Sequence, residues 1–131
     1  MLGLFGCAEK KENKTENVIK ISVTDKVSDA DIWIIPDTEE NRKTTVWGTA
    51  TVSTKLSDTK AKTVEITSDT KAYLIRIIDT DETYYSADAV SLYDNGSIII
   101  TEDCDTSTVV AEVYDADGEL METYELFSAR L

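Results

Sequence analysis

The 131-residue chain has no histidine, one proline, five glycines and two cysteines, and it sets 13 lysines and arginines against 26 aspartates and glutamates. Each scarcity excludes something. Without histidine there is no imidazole base and no imidazole zinc ligand, and neither a Ser–His nor a Cys–His nucleophile pair can be assembled. A net charge of -13 repels phosphate backbones, so nucleic acid is not an expected partner. No apolar run is long enough to cross a membrane as a helix, and no repeat of fixed period appears.

What is present suffices for one folded domain. Apolar residues make up 41% of the chain, with β-branched and aromatic types plentiful, which separates it from a disordered acidic tail. The acid is unevenly placed. From Thr101 onward nine carboxylates (Glu102, Asp103, Asp105, Glu112, Asp115, Asp117, Glu119, Glu122 and Glu125) face one cation, Arg130.

At the amino terminus, Leu4-Phe5-Gly6-Cys7 resembles the lipobox of bacterial lipoproteins: an aliphatic residue, a variable one, a small one, then cysteine. The resemblance implies cleavage before Cys7 and a thioether from its sulfur to diacylglycerol. The mature protein would then be extracytoplasmic and anchored to the cell membrane by lipid. A signal peptide needs a basic start and an apolar stretch of about 7–15 residues. Six residues, none basic, precede Cys7, so the expectation is that Met1 lies inside the apolar region of a longer leader. Residues 8-17 have no large apolar side chain and mix lysine with glutamate; they are expected to be a disordered tether. Residues 1-7 are thus the remnant of a signal and lipobox, and 18-131 the folded domain. If Cys7 is acylated, Cys104 is left alone; the alternative is a bridge between the two. Cys104, among Glu102, Asp103 and Asp105, is expected to be semi-buried and not a nucleophile.

From Val18 on, short runs of β-branched and aromatic residues alternate with turn chemistry, and no helix is expected. Ile19, Ile21 and Val23 alternate with Lys20, Ser22 and Thr24. Asp31–Ile35 is apolar on both faces and Pro36 ends it. Val46–Val52 and Thr63–Thr67 alternate. Ala72–Ile78 is the most hydrophobic run and is expected to cross the middle of a sheet. Tyr84–Leu92 is less regular, as a bulge would make it. Ser97–Thr101, Thr108–Tyr114 and Leu120–Leu126 complete the set. Asp79–Glu82, Asp94-Asn95-Gly96 and Asp115–Gly118 are expected to link adjacent strands. This pattern is all-β, an antiparallel β-sandwich of eight or nine strands, immunoglobulin-like, with a closed barrel as the alternative.

The middle of the chain resembles a family of small exported bacterial lipoproteins with a C2-like β-sandwich. Ala30–Pro36 stands where that family has a strand ending in Ser-Pro. Val46-Trp47-Gly48 is similar to its Asp-Trp-Gly, and Tyr73–Asp81 to its Tyr-Asp-Ile-Arg-Val-Val-Asp-x-Asp-Gly hairpin. Here Glu82 replaces the hairpin glycine, and the acidic pair before Trp47 is missing. The similarity runs from Val18 to Thr101 and implies fold and export more than activity.

One polar constellation recurs. Asp-x-Asp occurs at Asp29/Asp31, Asp79/Asp81, Asp103/Asp105 and Asp115/Asp117. Calcium takes about six to eight oxygen ligands, commonly loop carboxylates, and residues i and i+2 of a strand share a face. On that reading Asp79, Asp81, Asp103, Asp105, Asp115 and Asp117 are candidate calcium ligands. The competing reading is that aspartate closes hairpin turns by bonding its own backbone. Trp33, Trp47 and the tyrosines are either an aromatic platform for sugars or peptides or ordinary packing, with Tyr84-Tyr85 the pair best placed for exposure. Since the acids sit in turns, with nothing to split their protonation, the chain does not read as an enzyme. Two functional readings remain: a tethered binding or adhesion module for a protein or cell-wall glycan, and an assembly domain that works through an exposed edge strand.

Overall fold

The computed structural model describes residues 17–130 except Val46, Thr59 and Asp69. Ten strands follow in order, β1 (Asn17–Asp25), β2 (Ala30–Pro36), β3 (Val52–Thr54), β4 (Lys62–Ser68), β5 (Ala72–Asp79), β6 (Thr83–Ser91), β7 (Gly96–Asp103), β8 (Thr108–Tyr114), β9 (Leu120–Glu125) and β10 (Phe127–Arg130), with one helix, α1 (Glu39–Lys43). They form a sandwich of two five-stranded sheets. Sheet 1 has the order β4-β1-β7-β8-β9 and sheet 2 the order β10-β6-β5-β2-β3. Every pairing is antiparallel except β1 with β7, where Ile21 lies opposite Gly96.

Alternation builds the core. Ile21 and Val23 of β1 and Ile98 and Ile100 of β7 turn inward from sheet 1 to meet Ile32, Ile34, Ile75 and Ile77 of sheet 2. Each buried aliphatic side chain contributes about 1.5–3 kcal/mol relative to exposure. The run read as a mid-sheet strand is β5, the third strand of sheet 2, and it is buried on both faces: Tyr73, Ile75 and Ile77 toward the core, Leu74 and Arg76 away from it. The irregularity expected in Tyr84–Leu92 is a bulge in the β5–β6 pairing: Tyr73 faces Val90 and Ile75 faces Ala87, and Ala89 has φ 55.

Several expectations change. A five-residue helix does form: Thr38 caps it by accepting the Asn41 N–H at 3.0 Å, with Glu39 and Glu40 in its first turn and Arg42 and Lys43 in its last. Trp47–Thr51 is not strand; only Val52–Thr54 pairs with β2. The turn at Asp94-Asn95-Gly96 does not join neighbours but carries the chain from sheet 2 to sheet 1. The Asp94 carboxylate accepts the Lys20 N–H at 2.9 Å, and Asn95 N–H bonds Lys20 O at 2.8 Å, so the turn docks on β1 and β7 leaves parallel to it. Gly96 suits this place because a Cβ there would stand 2.2 Å from the Tyr114 carbonyl oxygen. The expected strand Leu120–Leu126 is β9, which ends at Glu125, and the further strand β10 (Phe127–Arg130), not expected from the sequence, follows it. Leu126, buried, hands its N–H to Val109 O at 2.9 Å as the chain switches from sheet 1 (β9) to sheet 2 (β10).

The β5–β6 hairpin holds Glu82 at φ 63, the left-handed region. A side chain there is strained, whereas glycine is not. Glu82→Gly is therefore expected to stabilise the fold by about 0.5–1 kcal/mol. Chemical denaturation midpoints at constant slope check it; an unchanged or lower midpoint contradicts the argument.

Candidate functional site

Strands β1, β3, β5 and β7 all end at one end of the sandwich, since Asp25 lies opposite Ile100, and Thr54 and Asp79 both lie opposite Ala30. Their loops carry Asp25, Asp29, Asp79, Asp81, Asp103 and Asp105. Asp115 and Asp117 lie in the β8–β9 hairpin at the opposite end, so the six candidate calcium ligands do not meet. Their geometry explains why. Asp79 Oδ1 accepts the N–H groups of Asp81 at 2.9 Å and Thr83 at 2.8 Å. Asp103 Oδ1 accepts that of Asp105 at 2.9 Å. Asp115 Oδ1 accepts those of Asp117 at 2.9 Å and Glu119 at 3.0 Å. In each pair the first aspartate closes the turn on the second, and the two do not share a strand face. Among the described residues no three of Asp, Glu and Cys come together as a metal site.

Two carboxylates are buried at the acid-rich end, Asp25 and Asp79. Asp25 Oδ1 takes the Val27 N–H at 2.8 Å and the Ser28 N–H at 3.3 Å, and Thr54 Oγ1 donates to Oδ2 at 3.4 Å. Burial pushes the Asp25 carboxyl above its ordinary range against these bonds, and the Asp79 charge adds to the rise. Tyr85, inward-facing on β6, is pushed up as well, first by burial and then by Asp79, Asp25, Glu102 and Asp81. A shallow depression of about 330 Å³ beside them is lined by Asp29, Asp31, Ser53, Lys55, Lys62 and Asp79. Its polar groups hold one another: Asp29 Oδ1 takes the Leu56 N–H at 2.6 Å, Ser53 Oγ donates to Asp31 Oδ1 at 2.6 Å, and Lys62 Nζ donates to Ser53 O at 2.9 Å. Among the described residues these bonds make this end a turn scaffold.

Three aromatic residues, Trp33, Trp47 and Tyr84, gather on the outer face of sheet 2. Trp47 lies between Trp33 (ring centroids 5.8 Å, tilted 52°) and Tyr84 (6.3 Å, stacked within 9°), and Trp33 Nε1 donates to Gly48 O at 3.1 Å. All three are half-buried. On the same outer face as Trp33 and Tyr84 are Leu74 and Arg76, both buried. Arg76 donates to Ile75 O at 3.0 Å and Ala87 O at 3.1 Å, and its Nη2 pairs with Asp88 at 2.8 Å. Arg42 of α1 forks onto Asp37, whose Oδ2 accepts the bulge N–H of Ala89 at 2.8 Å. The Arg42 hydrogen bond holds the Asp37 carboxyl below its ordinary range. Thus Trp33, Trp47 and Tyr84 pack against each other and against the sheet; Tyr84 is the outward member of the Tyr84-Tyr85 pair, and it is stacked. The charged staple from Asp37 to Asp88 escaped the sequence reading, although alternation along β5 assigns Arg76 to the outer face.

The least satisfied surface lies on the side formed by β9 and β10. Each is the edge of its sheet. Leu120 is 50% exposed, Met121 41% and Phe127 67%, three of the five large exposed apolar residues among those described. Cys104, read as semi-buried, is exposed in the β7–β8 turn. Cys7 lies outside the described residues. Comparison with family models, with curated proteins and with solved structures finds no match to this chain.

The two perturbed carboxyls make opposite contributions to pH dependence. Asp25 binds its proton more tightly in the native state than at its ordinary value of 3.8, so acidification from neutral toward that value favours folding. Asp37 does the reverse: its contribution is present above 3.8 and is lost as pH falls through its lowered native value. Asp25→Asn should therefore be more stable than wild type at pH 7 with a smaller gain on acidification. Asp37→Asn should be less stable at pH 7, with a deficit that closes below 3.8. Thermal melts across pH check both; parallel curves for all three proteins contradict the assignments.

Proposed function

We propose that the chain is a lipid-tethered extracytoplasmic interaction domain: Cys7 holds the membrane, residues 8-17 give reach, and the sandwich offers its β9–β10 side to a protein partner. The observation that carries this reading is the exposure of Leu120, Met121 and Phe127 on strands whose outer edges have no strand neighbour among the described residues. Unpaired edges and exposed apolar side chains are what association consumes. The other candidate surfaces are already occupied. The aspartates close their own turns, and the tryptophans are engaged with each other, Tyr84 and Gly48. Support for the tether is the lipobox resemblance at Leu4–Cys7 and the polar composition of the segment after it. A single acyl chain binds a membrane only weakly, and several bind firmly, so a diacylated and further acylated Cys7 suits a permanent anchor.

Two arms of one experiment test the reading in cells that express the protein. Cys7→Ser is expected to leave the membrane fraction, and retention there contradicts the anchor. A photo-crosslinking residue at Leu120 or Phe127 is expected to trap a protein partner that the same residue at Glu65, on the opposite edge of sheet 1, does not. Equal capture from both edges contradicts the assignment of the side.

A further inference from the structure

Resting on that reading, the chemistry of β9 narrows the partner. We infer that β9 accepts an extended, basic polypeptide segment as a sixth strand of sheet 1. Backbone geometry is the first ground. β9 runs six residues, Leu120–Glu125, paired to β8 on one side and, among the described residues, to no strand on the other. Its outward N–H and C=O groups are a template for strand addition. Of the other edges, β3 and β10 have three and four residues, too short to template much, and β4 shows no exposed large apolar side chain.

Side chains are the second ground. Tyr114 lies opposite Leu120 across the β8–β9 pairing, so the two share the outer face of the sheet, and Leu120 and Met121 are exposed at the start of the strand. An incoming strand with an apolar residue at that level would cover them. The remaining exposed residues are Glu122, Thr123 and Glu125, with Glu119 directly before. The edge has no lysine and no proline, the usual deterrents of strand addition. Its guards are a register shift between Val113 and Tyr114, at the Leu120 end, and negative charge along the rest, which is selective.

Charge then decides between occupants. A second copy adding at β9 would set Glu122 and Glu125 against the same residues, and like charges across strands repel. After Thr101 the one cation is Arg130, on β10, so little in this part of the chain neutralises β9 from within. A lysine- or arginine-bearing strand meets both demands on separate faces: its cations on one face meet Glu122, and its alternate apolar residues on the other cover Leu120.

The test uses the full chain at low ionic strength and three labelled peptides of equal length: alternating lysine and valine, serine and valine, and glutamate and valine. Fluorescence anisotropy is expected to show binding of the lysine peptide alone. The Glu122→Lys/Glu125→Lys protein, verified as folded by circular dichroism, should bind it about tenfold or more weakly. Methylating alternate backbone nitrogens of the peptide should abolish binding, because it removes the ladder donors. Equal binding of the lysine and serine peptides overturns the basic partner and leaves the β9–β10 side standing. Undiminished binding of the methylated peptide overturns strand addition. Failure of all three peptides overturns this inference, while crosslinking from Leu120 or Phe127 judges the broader reading separately.

Discussion

Strand β5 is buried on both faces, and a two-layer sandwich provides a core for only one of them. The rest of sheet 2 is organised around that constraint. Tyr73, Ile75 and Ile77 find sheet 1. Leu74 and Arg76, on the reverse, are buried as well. A guanidinium can be buried only with its hydrogen bonds met, and Arg76 meets them with two carbonyls and Asp88. The neighbouring pair of Asp37 with Arg42 fixes the chain that leaves β2 to the bulge at Ala89. Beyond it Trp47 settles between Trp33 and Tyr84. What looked in the sequence like an available aromatic platform is engaged in local packing.

The same reasoning separates used chemistry from free chemistry elsewhere. A hairpin in an acidic chain still has to satisfy its turn N–H groups, and the first aspartate of each of the pairs at Asp79, Asp103 and Asp115 does so with one oxygen. By contrast, the sheet switch at Leu126 creates something unsatisfied. The chain abandons β8 after Glu125 and joins β6 at Phe127, so one short stretch provides the edge of both sheets. Leu126 enters the core, but Leu120, Met121 and Phe127 stay outside it, and the acids of the stretch discourage copies of itself. Function is assigned to that side because it joins the edges of both sheets with exposed apolar side chains.

How much of this was legible in the sequence depended on the length scale of the signal. Period-two alternation located β1 and β4, a β-branched run located β7, and the two-faced apolar runs marked β2 and β5 as interior strands, because hydrophobicity is a property of the residue itself. Turn chemistry located reversals but not destinations: Asp94-Asn95-Gly96 has hairpin residues, yet the Asp94 bond to Lys20 is 74 positions away and sends β7 to the other sheet. Trp47–Val52 alternates like a strand, but the Trp33 indole takes Gly48 O, and a tertiary contact overrides the local pattern. Helix α1 is too short for periodicity, and only its cap and charges at Thr38–Lys43 announce it. Strand β10 was not foreseen because its four residues, Phe-Ser-Ala-Arg, include no β-branched one. For the site, the reading that aspartate closes its own turns was available from composition, whereas an open edge is a statement about what pairs with what.

The most direct measurement of the central claim is residue-resolved amide hydrogen exchange along β9 in the free full-length protein. An open edge requires alternation: amides directed at β8 exchange slowly, and those directed outward exchange at rates near those of exposed loops. Uniform protection from Leu120 to Glu125 would mean that the edge is already covered, and it would contradict the account.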